Sequence, residues 1–499
     1  MMLDSSRLLD CCRHQFELSP RPIYLNGASR SPLLRSVRIE GQRAVAEKSL
    51  PWTIPESAGM VDDVRSMYAS LLGVRGVDVA LASSTCSALS NIARHLRLEP
   101  DEDVLVLEAQ NHSNVMPWQD LVARHPGSRL LVVPRPRDFD WTSAVIAAID
   151  GADAHGRFVR VVAVPQNHWS DGSMLDLTKI GQRCRATGAS MLERVRQSAL
   201  RTRRVFVLDL TQSIGVIPFS NDAADEDGVG ADFIACSVHK WLCGPYGFCL
   251  LYAAPAWTSV ASADDEDVSS SAEGEGGGAA AATATATAAA AAAAAAAPSD
   301  TAIAPQDHHD RNRQPPAGAS EAERNAFFHD GGEMLGVGGC RGYTTTFLPG
   351  ARRLDGGGRP NPIGLPMLHA ALTVLTTEWL VEDSAAVAQY CEPRTRIIAD
   401  LARELGFRVP QWHAPHIVGL RAALAAGGGE EDGEGAGLAG AAVAEVHEWL
   451  KTKEEISVSL RMGAIRVCVH VYNTDEEVEF FCNALRRAVE GVRSSFKAS

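Results

Sequence analysis

Short apolar runs alternate with amphipathic stretches along the first half of the chain. The runs are rich in Val, Ile, Leu and Ala, are bounded by Gly, Asp or Asn, and lie at 77–83, 103–109, 129–135, 158–165, 204–210, 232–238 and 248–254. Stretches with a helical period follow several of them, at 87–96, 115–125 and 177–188. Buried strands separated by helices are typical of an α/β domain with a mainly parallel sheet.

The pattern changes in the last third of the chain. Longer helical periods occupy 366–380 and 387–405, followed by a short apolar stretch at 416–422. A helix at 442–451, a strand at 465–471 and a final helix from Asp475 complete the pattern. We expect a smaller C-terminal α+β domain here.

Two low-complexity segments interrupt these domains, at 258–323 and 425–437. They consist largely of Gly, Ala, Ser, Thr and acidic residues, with too little apolar surface to offset the entropy lost on ordering, so we expect disorder. The expected order is therefore an N-terminal segment with the large domain at 1–257, the insert, the end of the large domain at 324–380, and the small domain at 381–499.

Composition and charge narrow the class of protein. The formal net charge is −14, which disfavours nucleic acid as a partner. We find no membrane span, no signal or transit peptide and no Cys/His spacing that would bind a metal. Because the 11 cysteines show no paired pattern, reduced thiols in the cytoplasm fit best.

Polar residues follow the predicted strands, where ligands bind in parallel sheets. They are Ser83 to Thr85, Asn111 to Asn114, His168 to Gly172, Asp209 with Gln212, and Ser237 to Lys240. An acid that ends one strand, followed by S-x-H-K after the next, suits pyridoxal 5'-phosphate. The acid keeps the ring nitrogen protonated, and the lysine forms the Schiff base.

The segments LDLTQSIG (208–215) and DFIACSVHKWLCGPYGFCLLY (232–252) closely resemble the lysine region of class V aminotransferases. This family of fold-type I enzymes also contains cysteine desulfurases, kynureninase and isopenicillin N epimerase. The resemblance extends to YLNGASRSPL, NHSNVMPW, HWSDGSMLDL, GARRLDGGGRPNPIGLPML and AIRVCVHVYNTDEEVE, and so covers almost the whole chain outside the inserts.

The resemblance implies roles for individual residues around the cofactor. Lys240 would form the Schiff base, Asp209 would pair with the ring nitrogen, and Gln212 would face the ring hydroxyl. The phosphate would lie among Ser237, His239 and a helix N-terminus formed by Ser84, Thr85 and Cys86, where main-chain N–H groups and the helix dipole favour an anion. His112 would stack on the cofactor ring as in desulfurases and shuttle protons.

The resemblance also implies where the substrate and a second subunit bind. Arg466 aligns with the arginine that receives a substrate carboxylate, a task suited to a two-donor guanidinium, although an internal salt bridge is the alternative. One of Arg352, Arg353 and Arg359 would approach the cofactor phosphate of a neighbouring subunit. A homodimer follows, because such active sites usually form at the dimer interface.

The chain departs from the sequence pattern of cysteine desulfurases at two places that matter for sulfur chemistry. Trp169 stands where desulfurases carry an asparagine near the ring hydroxyl. Desulfurases carry a loop with the sulfur-accepting cysteine between the two stretches that correspond to VSLR and AIRVCVH. In this chain only Met462 and Gly463 separate these stretches. Cys468 instead falls within a predicted strand. A further basic stretch at 190–204 is read either as a lengthened surface helix or as a mistaken exon.

These observations predict a pyridoxal phosphate-dependent transferase or lyase of the class V group that acts on a small amino acid or related amine. Lys240 would move the Cα proton, and transamination, epimerisation and elimination all remain open. The alternatives are a cysteine or selenocysteine lyase and a non-catalytic scaffold with the same fold.

Overall fold

The computed structural model describes residues 9–55, 57–186, 203–225, 227–258, 350–356, 360–423 and 440–498. The first residue of the longer predicted insert, Thr258, is buried at the end of a short helix. The rest of that insert, the insert at 425–437 and most of 190–204 lie outside the described residues, so the expectations for them stay predictions.

A seven-stranded sheet lies at the centre of the fold. The described strands are β1 (Ile23–Tyr24), β2 (Val79–Ala82), β3 (Glu102–Leu107), β4 (Arg129–Val133), β5 (Phe158–Pro165), β6 (Val205–Asp209), β7 (Phe233–Ser237), β8 (Cys249–Ala253), β9 (Ile417–Arg421), β10 (Ile456–Ser457), β11 (Ser459–Arg461) and β12 (Ala464–Cys468). The order in the large sheet is β2-β8-β7-β6-β5-β3-β4, and only β8 runs antiparallel to its neighbours. Each apolar run between 77 and 254 forms one of these strands, which confirms the mainly parallel α/β fold.

Helices cover the sheet and build the C-terminal part. They are α1 (Arg35–Lys48), α2 (Ala58–Leu72), α3 (Thr85–His95), α4 (Met116–Ala123), α5 (Trp141–Ala154), α6 (Leu177–Arg185), α7 (Pro255–Thr258), α8 (Gly364–Val374), α9 (Ala386–Glu404), α10 (Gly440–Thr452) and α11 (Asp475–Ala498). The helix expected at 366–380 is α8 continued by a π-helical turn, Leu375–Trp379.

Both faces of the central strands are buried. Along β5, Val162 and Val164 join one apolar cluster while Val161 and Ala163 join another, because successive side chains of a strand point to opposite faces. With helices on each face, the polar residues at the strand ends are the part of the sheet left for a ligand.

The C-terminal part contains a three-stranded antiparallel sheet in the order β11-β12-β9, with α9 to α11 around it, as an α+β unit requires. It belongs to the same compact unit as the large sheet, so the domain boundary at 380 stays a prediction. In the part of the chain described here, no helix combines the length and apolar character needed to span a bilayer.

The N-terminal segment packs against this C-terminal part. β1 pairs in parallel with β10, and the Cys12 N–H donates to the Val471 carbonyl at 2.8 Å. The Leu25 carbonyl accepts from the Cys468 N–H at 2.9 Å. These contacts bring Ala28 and Ser29 beside the strand ends of the large sheet.

Candidate active site

A cavity of about 190 Å³ lies at the carboxyl ends of the parallel strands. It is lined by residues that end or follow β2, β3, β5, β6 and β7: Thr85; Gln110, Asn111 and Ser113; Pro165, Asn167 and Trp169; Asp209, Thr211 and Gln212; Ser237, His239 and Lys240. The structure thus brings together Thr85, Asp209, Gln212, Ser237, His239 and Lys240, six of the residues predicted from the sequence.

Asp209 and Lys240 are the charged pair of the cavity. Burial lowers the pKa of the Lys240 amine to about 8, an effect that the Asp209 charge opposes and the Arg466 charge reinforces. Burial raises the pKa of the Asp209 carboxyl, against hydrogen bonds from Thr211 and the positive charge of Lys240. An amine with this pKa is partly neutral near pH 8, which suits a nucleophile and a base.

Hydroxyl groups gather beside the start of α3. Thr85 Oγ1 lies 2.8 Å from Ser237 Oγ and 3.3 Å from Thr211 Oγ1. Ser84 caps the helix, its side chain accepting from the Ser87 N–H at 3.1 Å. Hydroxyl donors at a helix N-terminus form an environment that stabilises an anion such as a phosphate.

Four predicted residues lie outside the cavity lining: Ser84, Cys86, His112 and Arg466, the last of which is described below. Ser84 is half-buried at the helix cap, and Cys86 is exposed on the first turn of α3. His112 is exposed in a short 3-10 turn, and its neighbours Asn111 and Ser113 line the cavity instead. The phosphate role of Ser84 and Cys86 and the ring-stacking role of His112 stay predictions.

His239 and Gln212 are both held by neighbours. Burial lowers the pKa of His239 to about 4, with help from the Lys240 charge, so the imidazole is neutral at pH 7. Its ring stacks on Tyr246 at 4.3 Å between centroids. The Gln212 amide donates to the Ala28 carbonyl at 3.2 Å and accepts from Trp241 Nε1 at 2.9 Å.

A stack of aromatic rings supports the segment that carries Lys240. Trp241 lies parallel to His470 at 5.2 Å, and His470 lies parallel to Tyr472 at 5.0 Å. His416 meets the Trp241 ring edge-on at 4.1 Å and bonds the Gln212 carbonyl at 2.7 Å. The lysine is thereby anchored between the large sheet and the C-terminal part.

Arg466 is a buried cation without an acidic partner. It is 1% exposed, and it donates to Ser29 Oγ at 2.7 Å and to the Trp169 carbonyl at 2.8 Å. Its Nε has no hydrogen-bond partner. Among the described residues, no carboxylate forms a salt bridge with Arg466, so the alternative of an internal salt bridge has no support. The charge of Arg466 is therefore available to an anionic ligand.

The three arginines expected to face a second subunit differ in their contacts and burial. Arg352 donates to Asp62 at 2.8 Å, and Arg353 is buried. Arg359 lies outside the described residues. The role of these arginines at a partner's cofactor stays a prediction.

The connection between β11 and β12 is a tight turn. Met462 and Gly463 both have positive φ, 48° and 75°, as a two-residue hairpin turn requires. Cys468 is fully buried in β12, and burial raises the pKa of its thiol. This short turn agrees with the absence of an inserted loop in the sequence, and it contains no cysteine.

Sequence reasoning missed Gln110 and Asn167. Asn167 is fully buried, and neither of its amide atoms has a hydrogen-bond partner. Gln110 is also buried, with its Nε2 unpartnered. Both stand just after predicted strands, the same signal that singled out Asp209, but an uncharged amide is also common in turns.

A buried carboxylate fixes the loop that carries Asn167 and Trp169. Asp171 is fully buried, forms ion pairs with Arg135 and with Arg421 at the end of β9, and accepts from Ser173 Oγ at 2.6 Å. β9 approaches so closely that a Cβ on Gly419 would lie 2.4 Å from the Asp171 Cα. The cavity wall is therefore tied to the C-terminal sheet.

Comparison with known proteins gives a family for the central segment. Residues 53–262 match the family model of class V aminotransferases. Over 250 residues the chain is 26% identical to isopenicillin N epimerase of Streptomyces clavuligerus, covering 49% of this chain and 56% of that protein. It is 26% identical over 208 residues to a cysteine desulfurase of Dickeya dadantii, covering 40% of this chain and 44% of that protein. The chain thus spans about half the length of the curated relatives it matches.

Solved structures share the fold across the chain. A cysteine desulfurase from Thermococcus onnurineus aligns with a TM-score of 0.60 and 17% identity, covering 98% of this chain and all of that one, 100%. A cystine C–S lyase solved with cysteine persulfide aligns with a TM-score of 0.62 and 14% identity, covering 93% and 97%. At this identity the likeness establishes the fold, which is fold-type I as predicted.

Proposed function

Because residues 53–262 form a class V aminotransferase segment on a fold-type I scaffold, we propose that the chain is a pyridoxal 5'-phosphate-dependent transferase or lyase acting on a small amino acid. The observation that carries the proposal is that Lys240 and Asp209 line one cavity, which Arg466, a cation without an acidic partner among the described residues, adjoins through its hydrogen bond to the Trp169 carbonyl.

The residues of the cavity fit the cofactor. Lys240 would hold its aldehyde carbon, and Asp209 would hold the proton of its ring nitrogen. Thr85 and Ser237, with the first turn of α3, would bind its phosphate. When bound, the group supplies an electron-accepting ring that stabilises negative charge on the substrate carbon beside the amine.

The chain's own residues then position the substrate and move a proton. Arg466 binds the substrate carboxylate through its two-donor fork and fixes its orientation. Lys240, with its lowered pKa, takes and returns the proton on the substrate Cα. Asp209 would interact strongly with the ring nitrogen, because charges at this buried position are poorly screened.

Transfer of sulfur through a cysteine on the chain is less well supported than a reaction at Cα. The turn between β11 and β12 holds no cysteine, and none of the residues that line the cavity is a cysteine. A lyase that releases its product directly remains compatible with this site. A non-catalytic scaffold would have no need for a buried lysine whose pKa is lowered.

The test is cofactor attachment and Cα proton exchange in the full chain. We expect borohydride to fix the cofactor to wild-type protein, and Lys240→Ala to abolish both fixation and exchange of the substrate Cα hydrogen in deuterated water. Lys179→Ala removes an exposed lysine paired with Asp176 and is the matched control. A borohydride-fixed adduct retained in Lys240→Ala would contradict the proposal.

The proposal extends to assembly and location. We propose a homodimer, in which one of the arginines around residue 352 reaches a partner's site, and a cytoplasmic location. The described cysteines are all free thiols, which is compatible with a reducing compartment. Light scattering of the purified protein would contradict the dimer if it gave the mass of a monomer.

A further inference from the structure

Arg461 is a second cation at the substrate end of the site. It ends β11, its Nη2 donates to Ser29 Oγ at 3.3 Å, and the same hydroxyl accepts from Arg466 Nη2 at 2.7 Å. The antiparallel register places Arg461 opposite Ala464, two residues before Arg466, so both arginines project from one face of the C-terminal sheet. One small hydroxyl thus lies between two guanidinium groups.

Neither charge is neutralised by the part of the chain that the structure describes. No carboxylate among those residues forms a salt bridge with Arg461 or Arg466, and the Nε atom of each is buried without a hydrogen-bond partner. Burial lowers the pKa of the Arg466 guanidinium, and the charge of Arg461 lowers it further. Two cations that repel each other in this way favour an anion that binds between them.

Another pair of arginines in the same fold shows what such an arrangement requires. Arg135 and Arg421 also converge, and there the buried carboxylate of Asp171 forms an ion pair with each of them. Between the two arginines of the site the described chain supplies only a hydroxyl. A ligand is therefore left to supply the negative charge.

A single carboxylate would not use both guanidinium groups fully. The two oxygens of an α-carboxylate match the two-donor fork of Arg466, which is buried. Arg461 is half-buried and adjoins the exposed turn at Met462 and Gly463, which places it on the solvent side of Arg466. With the α-carboxylate at Arg466, a second acidic group of the same molecule would meet Arg461.

We propose that Arg461 binds an acidic group in the side chain of the substrate, so that the preferred substrate is an amino acid with a short side chain that ends in a carboxylate. This inference rests on the proposed function, because Arg466 holds the α-carboxylate of the same molecule. The two arginines then select for two negative charges together. An uncharged side chain of the same size leaves Arg461 without a counter-ion, and so binds less well.

The experiment is a titration of the cofactor's visible band in the holoenzyme with aspartate, glutamate and their amides, asparagine and glutamine. We expect the better acid to bind roughly ten- to hundredfold more tightly than its amide, the size of one hydrogen bond to a charged group. In Arg461→Gln the acid should lose this advantage, while the affinity for the amides stays the same because Arg466 is kept. Arg461→Lys retains the charge and should retain part of the preference.

Arg30→Gln is the matched control. Burial raises the pKa of Tyr24, and the charges of Arg30 and Arg466 both oppose this rise, so Arg30 lies in the same region. Arg30 is exposed, and solvent screens its charge, so the preference for the acid should survive its removal. An equal loss of preference in Arg30→Gln and Arg461→Gln would overturn the inference, since the net charge of the region would then explain the effect.

A second probe does not react with the cofactor. Succinate has two carboxylates and no amine, and succinamate has an amide in place of one carboxylate. Succinate should raise the melting temperature of the wild-type holoenzyme more than succinamate does, and the two should act alike in Arg461→Gln. Equal effects of acid and amide on the wild type in either measurement, or a full preference retained in Arg461→Gln, overturn the inference. Absence of any visible cofactor band in wild-type protein overturns the proposed function itself.

Discussion

Arg466 shows how a single side chain can be committed to a ligand. Its charge is buried, its hydrogen bonds go to a hydroxyl and a carbonyl, and burial lowers its pKa. A buried cation with no counter-ion destabilises the protein until an anion binds. The free protein thus retains a site for which a carboxylate is the natural partner.

Replacing Arg466 by lysine tests this role. We expect Arg466→Lys to weaken substrate binding by about 1.5–3 kcal/mol, roughly ten- to hundredfold, because an ammonium cannot reproduce two parallel hydrogen bonds. The spectrum of the bound cofactor should not change. The measurement is titration with an amino acid and with the corresponding amine that lacks the carboxylate. Equal losses for the two ligands would exclude a carboxylate at Arg466.

At the element scale, the loop after β5 depends on β9 through Asp171. Burial alone would raise the pKa of Asp171, but His168, Arg135 and Arg421 together hold it well below its usual range. We expect Asp171→Asn to lower the free energy of unfolding by about 3–5 kcal/mol, because it leaves two arginines without their counter-ion. Urea denaturation at pH 7 measures this loss.

The pH dependence of that loss gives a second check. The carboxylate is ionised above its unfolded pKa of about 4, so the full stabilisation is present above that value. This stabilisation is lost as the pH falls through the pKa of Asp171 in the folded protein, which is lower than its unfolded pKa. The free energies of unfolding of the wild type and Asp171→Asn should become equal only at that low pH. Asp176→Asn is a suitable control, because it keeps the helix cap and removes one exposed ion pair. A similar loss in both variants would refute the role given to Asp171.

The central strands could be predicted because they are short runs buried on both faces. Helices α1, α2 and α5 were not predicted, and β1 and β10 are two residues each, too short for a periodic signal. The pair of Asp209 and Lys240 was found by its position after neighbouring strands. Asn167 was missed because its significance lies in missing hydrogen bonds, which depend on the packing around it and leave no trace in the residue order.

At the scale of the whole molecule, the N-terminal segment completes the substrate end of the site. Phe16, Ile23 and Leu25 are buried against the C-terminal part, and Ser29 holds Arg466. At about 2 kcal/mol for each buried side chain, this segment contributes a large share of a stability that is typically about 5–15 kcal/mol.

Deleting residues 1–30 should therefore destabilise the entire fold. We expect a large fall in melting temperature and loss of substrate binding, since the deletion also removes Ser29. An unchanged melting temperature in the chain that lacks residues 1–30 would mean that the N-terminal segment does not stabilise the fold.

Most cavity side chains stand on the connections that follow the strands, while the strands themselves form the core. Substitutions at residues such as Asn111, Ser113 and Trp169 can therefore alter what the cavity accepts with little effect on the packing of the sheet. A directed-evolution library confined to Asn111, Ser113 and Trp169 would sample new substrates while most of its members still fold. The same separation lets related enzymes diverge in reaction on one scaffold.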